Sequence, residues 1–394
     1  MNINLEEKDQ RGIKISQIKK DYETDGIIRT WSIHIPEETA DEVKKTLDST
    51  WINTGKKEKE FREKIKNKFK AKYVSACNSG TSALKIALAA LGIKSGDEVI
   101  STPFTFIATN TAILEVGGIP VFADIDYDTL NIDPESIRKK ITPKTKAIIV
   151  VHYGGLPVEL DEIRAIADEH NLPVIEDSAH AMGSKYKGKY IGQTGDIITF
   201  SFQVVKIVTC GDGGIICTTN KDYYKKLKEY TWYGIDRETK IADPLDPLPN
   251  DITKLGFKSN MNDITATIGC VAMDHLDEQL KKRKYVGEKY REELQNLKKL
   301  TLLKFPHYCE PNYQIFPVHI KERERFANFM FNNGIQVNVN NRRNDKYSIF
   351  GGVNEELINL KKADEDVILL PCHGDLSEND VNKIIEKIKE FDLM

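Results

Sequence analysis

Seven short, almost continuously apolar runs dominate the pattern of hydrophobic and polar positions. They lie at Tyr73–Ala76, Glu98–Ser101, Pro120–Ala123, Ala147–His152, Val174–Glu176, Ile197–Phe202 and Gly214–Thr218. Runs with so little polar alternation are typical of strands that are covered on both faces. Segments with helical spacing, such as Ser82–Leu91 and Glu159–His170, lie between several of them. The alternation predicts an α/β fold with a mainly parallel seven-stranded sheet covered by helices.

Outside this region the pattern is helical or mixed. Glu37–Leu47 and Glu58–Phe69 have helical spacing before the first strand, and a long helical pattern runs from about Asn262 to Leu297. Residues 300–394 mix short strands with helices. This mixture predicts a smaller C-terminal α+β domain.

The length of 394 residues favours two domains rather than one core. We divide the chain into an N-terminal extension at residues 1–30, a large domain at 31–270 and a small domain at 271–394. A proline-punctuated stretch at 243–249 cannot be helical and is expected to form a loop near the end of the large domain.

The composition excludes several classes of protein. The chain has 57 Lys and Arg against 60 Asp and Glu, so its net charge of −3 does not favour nucleic acid or a membrane surface as a partner. No apolar run reaches the roughly 18 residues that a membrane-spanning helix needs, and the charged N-terminus lacks a signal sequence. The six cysteines are scattered, which predicts reduced thiols, no metal site and a cytoplasmic protein.

Polar residues that can carry chemistry follow two of the predicted strands. Asp177 and His180 follow one, while Ser201 and Lys206 end the other, before the glycine-rich turn at 211–214. Open α/β sheets place ligand contacts at the carboxyl ends of strands. A pyridoxal phosphate (PLP) enzyme needs an amine that forms a Schiff base and an acid that keeps the pyridine nitrogen protonated. Lys206 and Asp177 supply this pair of groups.

These residues also have purely structural interpretations. Most lysines are solvated surface residues, although Lys206 closes an apolar strand where solubility does not need it. Asp177 could be a helix N-cap and His180 a histidine packed beneath the site. We prefer Asp177 to Glu176 as the functional acid because adjacent residues of a strand point to opposite faces.

A third segment, Ser79-Gly80-Thr81, lies between the first strand and the helix that begins near Ser82. A turn of small residues at a helix N-terminus exposes backbone N–H groups and the positive end of the helix dipole, which suits a phosphate. The same residues also suit an ordinary Ser or Thr N-cap with a flexible glycine. The segment alone favours neither interpretation.

Together, Asn78-Ser79-Gly80-Thr81, the segment 174–180 and the Ser-Phe-x-x-x-Lys pattern that ends at Lys206 resemble the DegT/DnrJ/EryC1/StrS family of PLP-dependent sugar aminotransferases. The resemblance runs from about Trp31 to the C-terminus. It implies the fold-type I architecture, with Lys206 as the Schiff-base lysine.

The resemblance also implies roles for other residues of the site. Asp177 would pair with the pyridine nitrogen, His180 would contact the ring hydroxyl oxygen, and Ser79-Gly80-Thr81 and Ser201 would bind the phosphate. Phe106 would stack on the pyridine ring.

Two of these assignments have neighbours that compete with them. Phe104 is the alternative to Phe106, and a core role is open for either. Asn260 matches a family asparagine that reaches the phosphate in the neighbouring subunit, which implies a homodimer. Asn262 is the alternative contact, and a loop asparagine can also be a plain turn or cap residue.

The function implied by the resemblance is transfer of an amino group from L-glutamate to a keto-sugar, expected to be linked to a nucleotide, in amino-sugar and polysaccharide or O-antigen biosynthesis. A keto-sugar acid without a nucleotide remains an alternative substrate. A dehydratase branch of the family has histidine where this chain has Lys206, so lysine favours amino transfer. A non-enzymatic regulator with the same fold is disfavoured because Lys206 and Asp177 are both present.

Overall fold

The computed structural model describes residues 26–236, 252–339 and 341–394. The proline-punctuated stretch at 243–249 and most of the predicted N-terminal extension lie outside the described residues. Among the helices that are described, none is long and apolar enough to cross a membrane. The cytoplasmic location expected from the sequence stays a prediction.

The central sheet has seven strands, at the positions that the apolar runs predict. They are Tyr73–Cys77, Glu98–Ser101, Ile119–Phe122, Thr145–Val151, Val174–Asp177, Ile197–Ser201 and Gly214–Thr218. Counted along the chain, their order across the sheet is first, seventh, sixth, fifth, fourth, second and third. The seventh strand is antiparallel to both of its neighbours, and the other pairs are parallel. The predicted mainly parallel, seven-stranded α/β sheet is confirmed.

Both faces of the sheet are buried beneath helices. The helices around the sheet are Thr39–Asp48, Lys56–Phe69, Gly80–Leu91, Ile107–Glu115, Pro134–Lys140, Leu160–Glu169, Lys221–Thr231 and Asp263–Asp274. In the fourth strand, Ile148 and Val150 belong to one core cluster, whereas Ala147 and Ile149 belong to another. Alternate residues therefore enter opposite cores, which explains why the strands are apolar along their whole length.

The C-terminal part of the chain forms a smaller α+β lobe. Its antiparallel sheet consists of Leu300–Leu302, Phe316–Ile320 and Val367–Leu370, and its helices are Arg323–Asn332, Ile358–Asp366 and Glu378–Leu393. A separate small sheet joins Cys309–Glu310 to the strands Lys185–Tyr186 and Lys189–Tyr190. The predicted mixture of strands and helices beyond residue 300 is thus observed, while the division into three segments stays a prediction.

The long helical pattern from Asn262 to Leu297 is two helices rather than one. Asp263–Asp274 ends at His275, whose backbone N–H donates to the carbonyl of Ala272, and Leu276–Leu294 follows at once. The first helix packs into the core beneath the central sheet, and the second reaches the core of the small lobe. The break lies between the helix that packs in one core and the helix that reaches the other, and neither proline nor glycine marks it in the sequence.

The first described residues belong structurally to the small lobe. Ile28 pairs with Ile335 in a parallel bridge and is buried in the core of that lobe. Thr30 bonds through its hydroxyl and its N–H to Gln336, 306 positions along the chain. The chain then reaches Trp31, which lines the cavity described next.

Candidate active site

A cavity of about 380 Å³ lies at the carboxyl ends of the parallel strands. Its lining includes the last residues of three of them, Val151, Asp177 and Ser201. Eight of the nine predicted site residues line it, namely Ser79, Gly80, Thr81, Phe106, Asp177, His180, Ser201 and Lys206. Asn260 does not line it. The fold therefore brings together residues that are widely separated in the sequence.

Lys206 brings a partly buried amine into this cavity. Burial lowers the pKa of Lys206 to about 8, against the opposing effect of the Asp177 charge, which raises it. Burial penalises the charged ammonium form, so the neutral and nucleophilic amine becomes accessible near physiological pH.

The turn that carries Lys206 is held by two glutamine side chains. Gln203 accepts a hydrogen bond at its side-chain oxygen from the backbone of Val205, at 3.1 Å. Gln314 accepts from the backbone N–H of Ile207 at 3.2 Å and donates to the carbonyl of Val205 at 3.0 Å. These bonds hold the backbone on both sides of Lys206 and so fix the position of its Cα atom.

Asp177 ends the fifth strand with its carboxylate buried, at 5% exposure. Thr109 donates its hydroxyl to one carboxylate oxygen at 2.7 Å, and the backbone N–H of Ala179 donates to the other at 3.1 Å. Burial raises the pKa of Asp177, and these two hydrogen bonds oppose the rise. The bond from Ala179 is a local turn contact, but Asp177 is not the N-cap of any described helix.

Glu176, the competing acid, points to the other face of the strand. Its carboxylate meets His152 at 3.1 Å and Arg164 at 2.8 Å, and it does not line the cavity. The alternation of side chains along a strand thus separates a structural acid from the one in the site.

Ser79-Gly80-Thr81 opens the helix Gly80–Leu91 at the cavity wall. Ser79 is the N-cap and accepts from the N–H of Ser82 at 3.0 Å, as the capping interpretation predicts. Its neighbours still place the first turn of the helix beside Ser201. A Cβ added to Gly80 would lie 2.7 Å from the Cβ of Ser201, so only glycine allows this approach.

His180 lines the cavity with one buried ring nitrogen, Nδ1, that lacks a hydrogen-bond partner among the described residues. Burial, assisted by the positive charge of Lys206, lowers the pKa of His180 well below its usual value. The ring is therefore neutral at pH 7 and can donate one hydrogen bond or accept one.

The two candidate aromatic residues, Phe106 and Phe104, differ in their exposure. Phe106 lies just before the helix Ile107–Glu115, lines the cavity and is 63% exposed. Phe104 is 3% exposed and packs its ring against Tyr153, with 4.8 Å between centroids. Phe106 is thus the exposed aromatic residue at the cavity, and Phe104 belongs to the core.

Asn260 and Asn262 also differ. Asn260 donates to the hydroxyl of Thr54 at 2.7 Å and accepts from Lys258 at 2.6 Å, away from the cavity of its own chain. Asn262 is the N-cap of the helix Asp263–Asp274 and accepts from the N–H of Thr265 at 2.9 Å. The cap role accounts for Asn262.

Further residues of the cavity were not predicted from the sequence. They include Trp31, Thr105, Thr109, Gln203, Asp212, Gln314 and Asn341. Gln203 and Asp212 flank Lys206 within a few positions, and their proximity to the lysine is a signal that could have found them. Trp31, Gln314 and Asn341 come from distant parts of the chain, where no local pattern marks them.

An amine of lowered pKa, a buried acid and a helix N-terminus meet at one cavity of an α/β sheet, and this combination is typical of fold-type I PLP enzymes. Residues 34–389 match the model of the DegT/DnrJ/EryC1/StrS aminotransferase family. The chain belongs to this family, as its motifs indicate.

The chain is similar to individual proteins over most of their length. The uncharacterized protein MJ1066 of Methanocaldococcus jannaschii is 36% identical over 368 residues, which are 91% of this chain and 95% of that one. The crystal structure of the sugar aminotransferase CalS13 from Micromonospora echinospora has a TM-score of 0.88 and 29% identity, and covers 92% of this chain and 100% of its own. Spr1654 of Streptococcus pneumoniae, in its PLP form, has a TM-score of 0.86 and 27% identity, with 93% and 99% covered.

Proposed function

We propose that the chain is a PLP-dependent aminotransferase that converts a nucleotide-linked keto-sugar to an amino-sugar, with L-glutamate as amino donor. The observation that carries the proposal is the placement of Lys206 and Asp177 in one cavity with the helix N-terminus at Ser79. The sugar aminotransferase CalS13 and the PLP and PMP forms of Spr1654 support the substrate class and the cofactor.

The residues of the cavity fit PLP in the chemistry of their donors. Gly80 leaves room for the close approach of Ser201 to the first turn of a helix, which forms a cradle for a phosphate group. The partnerless Nδ1 of His180 matches a polar oxygen on a ligand. When bound, the cofactor supplies a protonated ring that withdraws electrons from the substrate carbon.

Each side chain then has a definite task in the proposed reaction. Lys206 would hold the aldehyde carbon covalently and, once released by the amino donor, would move the proton at the substrate carbon. Asp177 would keep the pyridine nitrogen protonated, and Phe106 would cover one face of the ring. Ser201 and the backbone of Gly80 and Thr81 would bind the phosphate.

The direct test of the cofactor is covalent trapping. Purified protein supplied with PLP should turn yellow, and borohydride should abolish the visible band and attach the cofactor to the peptide that contains Lys206. Lys206→Ala and Lys206→Arg should remain unlabelled, the latter because a guanidinium stays protonated. Lys361→Ala, a change at an exposed lysine, should label like the wild type. A colourless protein that ignores PLP would support a binding protein instead.

The direct test of the reaction compares nucleotide-linked keto-sugars with free keto-sugar acids as substrates. Loaded enzyme should release 2-oxoglutarate from L-glutamate and give an amino-sugar when a nucleotide-linked keto-sugar is added. Free keto-sugar acids serve as the comparison, and turnover with these alone would replace the nucleotide-linked substrate. Loss of water from the sugar without uptake of nitrogen would identify a dehydratase.

We also propose that the protein acts as a homodimer in which Asn260 serves the phosphate site of the partner. Its contact Thr54 follows the exposed apolar residues Trp51 and Ile52, which are 61% and 49% exposed. Adjacent apolar side chains of this size on a surface commonly mark an interface. A two-fold arrangement would give both copies the same loop.

A further inference from the structure

Two threonine hydroxyls lie in line behind the buried acid of the cavity. Thr109 places its Oγ1 2.7 Å from Oδ2 of Asp177, and Thr105 places its Oγ1 2.8 Å from that of Thr109. Both threonines are buried, with 1% and 2% exposure.

The chemistry of the acceptor fixes the direction of this chain of hydrogen bonds. An ionised carboxylate only accepts, so the hydroxyl of Thr109 donates to Asp177. Its single proton is then used, and the hydroxyl of Thr105 must donate to Thr109. Each bond polarises the next, which strengthens the donor that faces Asp177.

Thr109 departs from the usual behaviour of a helical threonine. Threonine side chains in helices commonly donate back to a carbonyl one turn earlier, as Thr111 does in the same helix to Ile107 at 3.1 Å. Thr109 instead donates its hydroxyl to Asp177, at the end of the fifth strand of the sheet. The same helix thus supplies a functional candidate and a matched control.

The backbone of Thr105 is held by a residue of the small lobe, Asn344. The carbonyl of Thr105 accepts from the side-chain amide of Asn344 at 2.9 Å. The backbone of Asn344 donates to the carbonyl of Pro103 at 2.8 Å, and its side-chain oxygen accepts from Asn110 at 2.8 Å. These bonds fix the backbone position from which the hydroxyl of Thr105 reaches Thr109.

We propose that Thr109 is a positioning residue that keeps Asp177 ionised and correctly oriented for the pyridine nitrogen, with Thr105 fixing the direction of its hydroxyl. The inference rests on the proposed function, because it assumes that Asp177 faces a PLP ring. A hydrogen bond donated to a buried carboxylate favours the charged form over the neutral one, against the effect of burial.

The test compares the binding of two ligands to protein freed of cofactor. One is PLP and the other is its 1-deaza analogue, in which C–H replaces the pyridine nitrogen. Thr109→Val should weaken PLP binding at least about tenfold, the scale for loss of a hydrogen bond to a charged group. Binding of the deaza analogue should hardly change, since that ring has no nitrogen for Asp177 to charge.

Three controls make this result specific. Thr109→Ser keeps the hydroxyl and should bind PLP like the wild type. Thr111→Val removes a hydroxyl of the same helix whose hydrogen bonds, among the described residues, stay within that helix, and it should leave both ligands unaffected. In an Asp177→Asn background, Thr109→Val should add little further loss of PLP binding, because the charge it supports is gone.

Equal weakening for PLP and for the deaza analogue would show a merely structural role and overturn the inference. The same holds if Thr109→Val binds PLP normally, or if its effect adds fully to that of Asp177→Asn. Wild-type protein that binds neither ligand would overturn the proposed function and the inference together. Normal PLP binding by the wild type, with no effect of Thr109→Val, would overturn the inference alone.

Discussion

At the scale of the residue, burial changes the acid–base behaviour of one amine in the cavity, that of Lys206. Lys206 has its pKa lowered to about 8, while exposed lysines of the same chain have theirs raised by acidic partners, as Lys361 does beside Glu355. The two kinds of lysine therefore differ most in their neutral fraction between the two pKa values. That difference can be measured without any cofactor.

The prediction is that Lys206 reacts as a neutral amine at lower pH than other lysines. Formaldehyde with a mild borane reductant should methylate Lys206 faster than Lys361 near pH 8, and the ratio should fall towards pH 10 as Lys361 also deprotonates. Asp177→Asn should shift the Lys206 midpoint lower still, because the Asp177 charge raises it. Peptide mass spectrometry gives both rates, and equal midpoints for the two lysines would contradict the prediction.

A second residue-scale prediction separates the two adjacent acids. Asp177→Asn should still bind PLP, although more weakly than the wild type, and should lose most of its turnover even when saturated with PLP, since an amide cannot stabilise a protonated ring nitrogen by charge. Glu176→Gln should keep the chemistry and instead lower the free energy of unfolding by roughly 1–3 kcal/mol, because it disturbs a buried pair with His152. Turnover and urea denaturation measure the two effects. The opposite pattern would mean that Glu176 is the functional acid.

At the scale of secondary structure, the central strands were predictable because both faces of the sheet are buried, which makes each strand a continuous apolar run. The break between two helices at His275 could not be predicted, because no proline or glycine marks it. Only the positions of the two cores that the helices reach require it. Likewise, Asp177 at a strand end and Lys206 in the turn after a strand could be predicted from local pattern. Trp31 and Asn341 could not, because tertiary packing alone brings them to the cavity.

Asn344, in the small lobe, is expected to stabilise the loop that carries Phe106. Asn344 bonds the backbone on both sides of that loop's centre, at Pro103 and Thr105. Asn344→Asp keeps the size but replaces an amide donor with an acceptor, so we expect a loss of roughly 1–3 kcal/mol in the free energy of unfolding. Ser348→Ala, at an exposed neighbouring position, is the matched control. Equal denaturation midpoints for the two variants would exclude this role.

At the scale of the whole molecule, the proposed homodimer predicts complementation between two inactive chains. Asn260→Ala should be severely impaired, and Lys206→Ala should be inactive. After subunit exchange between the two variants, half of the sites in each mixed dimer would have both residues intact, so part of the activity should return. Light scattering of the mixture checks the assembly. An active monomer would refute the dimer, whereas an unimpaired Asn260→Ala dimer would remove only Asn260 from the site.

The pairing of the first described residues with the small lobe also affects how the chain is made. Thr30 leaves the ribosome early, yet its partner Gln336 is 306 positions later. Ile28 lies in the core of that lobe and pairs with Ile335, so it has no partner until most of the chain has been synthesised. Contacts between such distant positions form late and leave apolar surface exposed in the meantime. The small lobe is translated late and closes on a segment translated early, so a chain that stops before Ile335 lacks the residue with which Ile28 pairs.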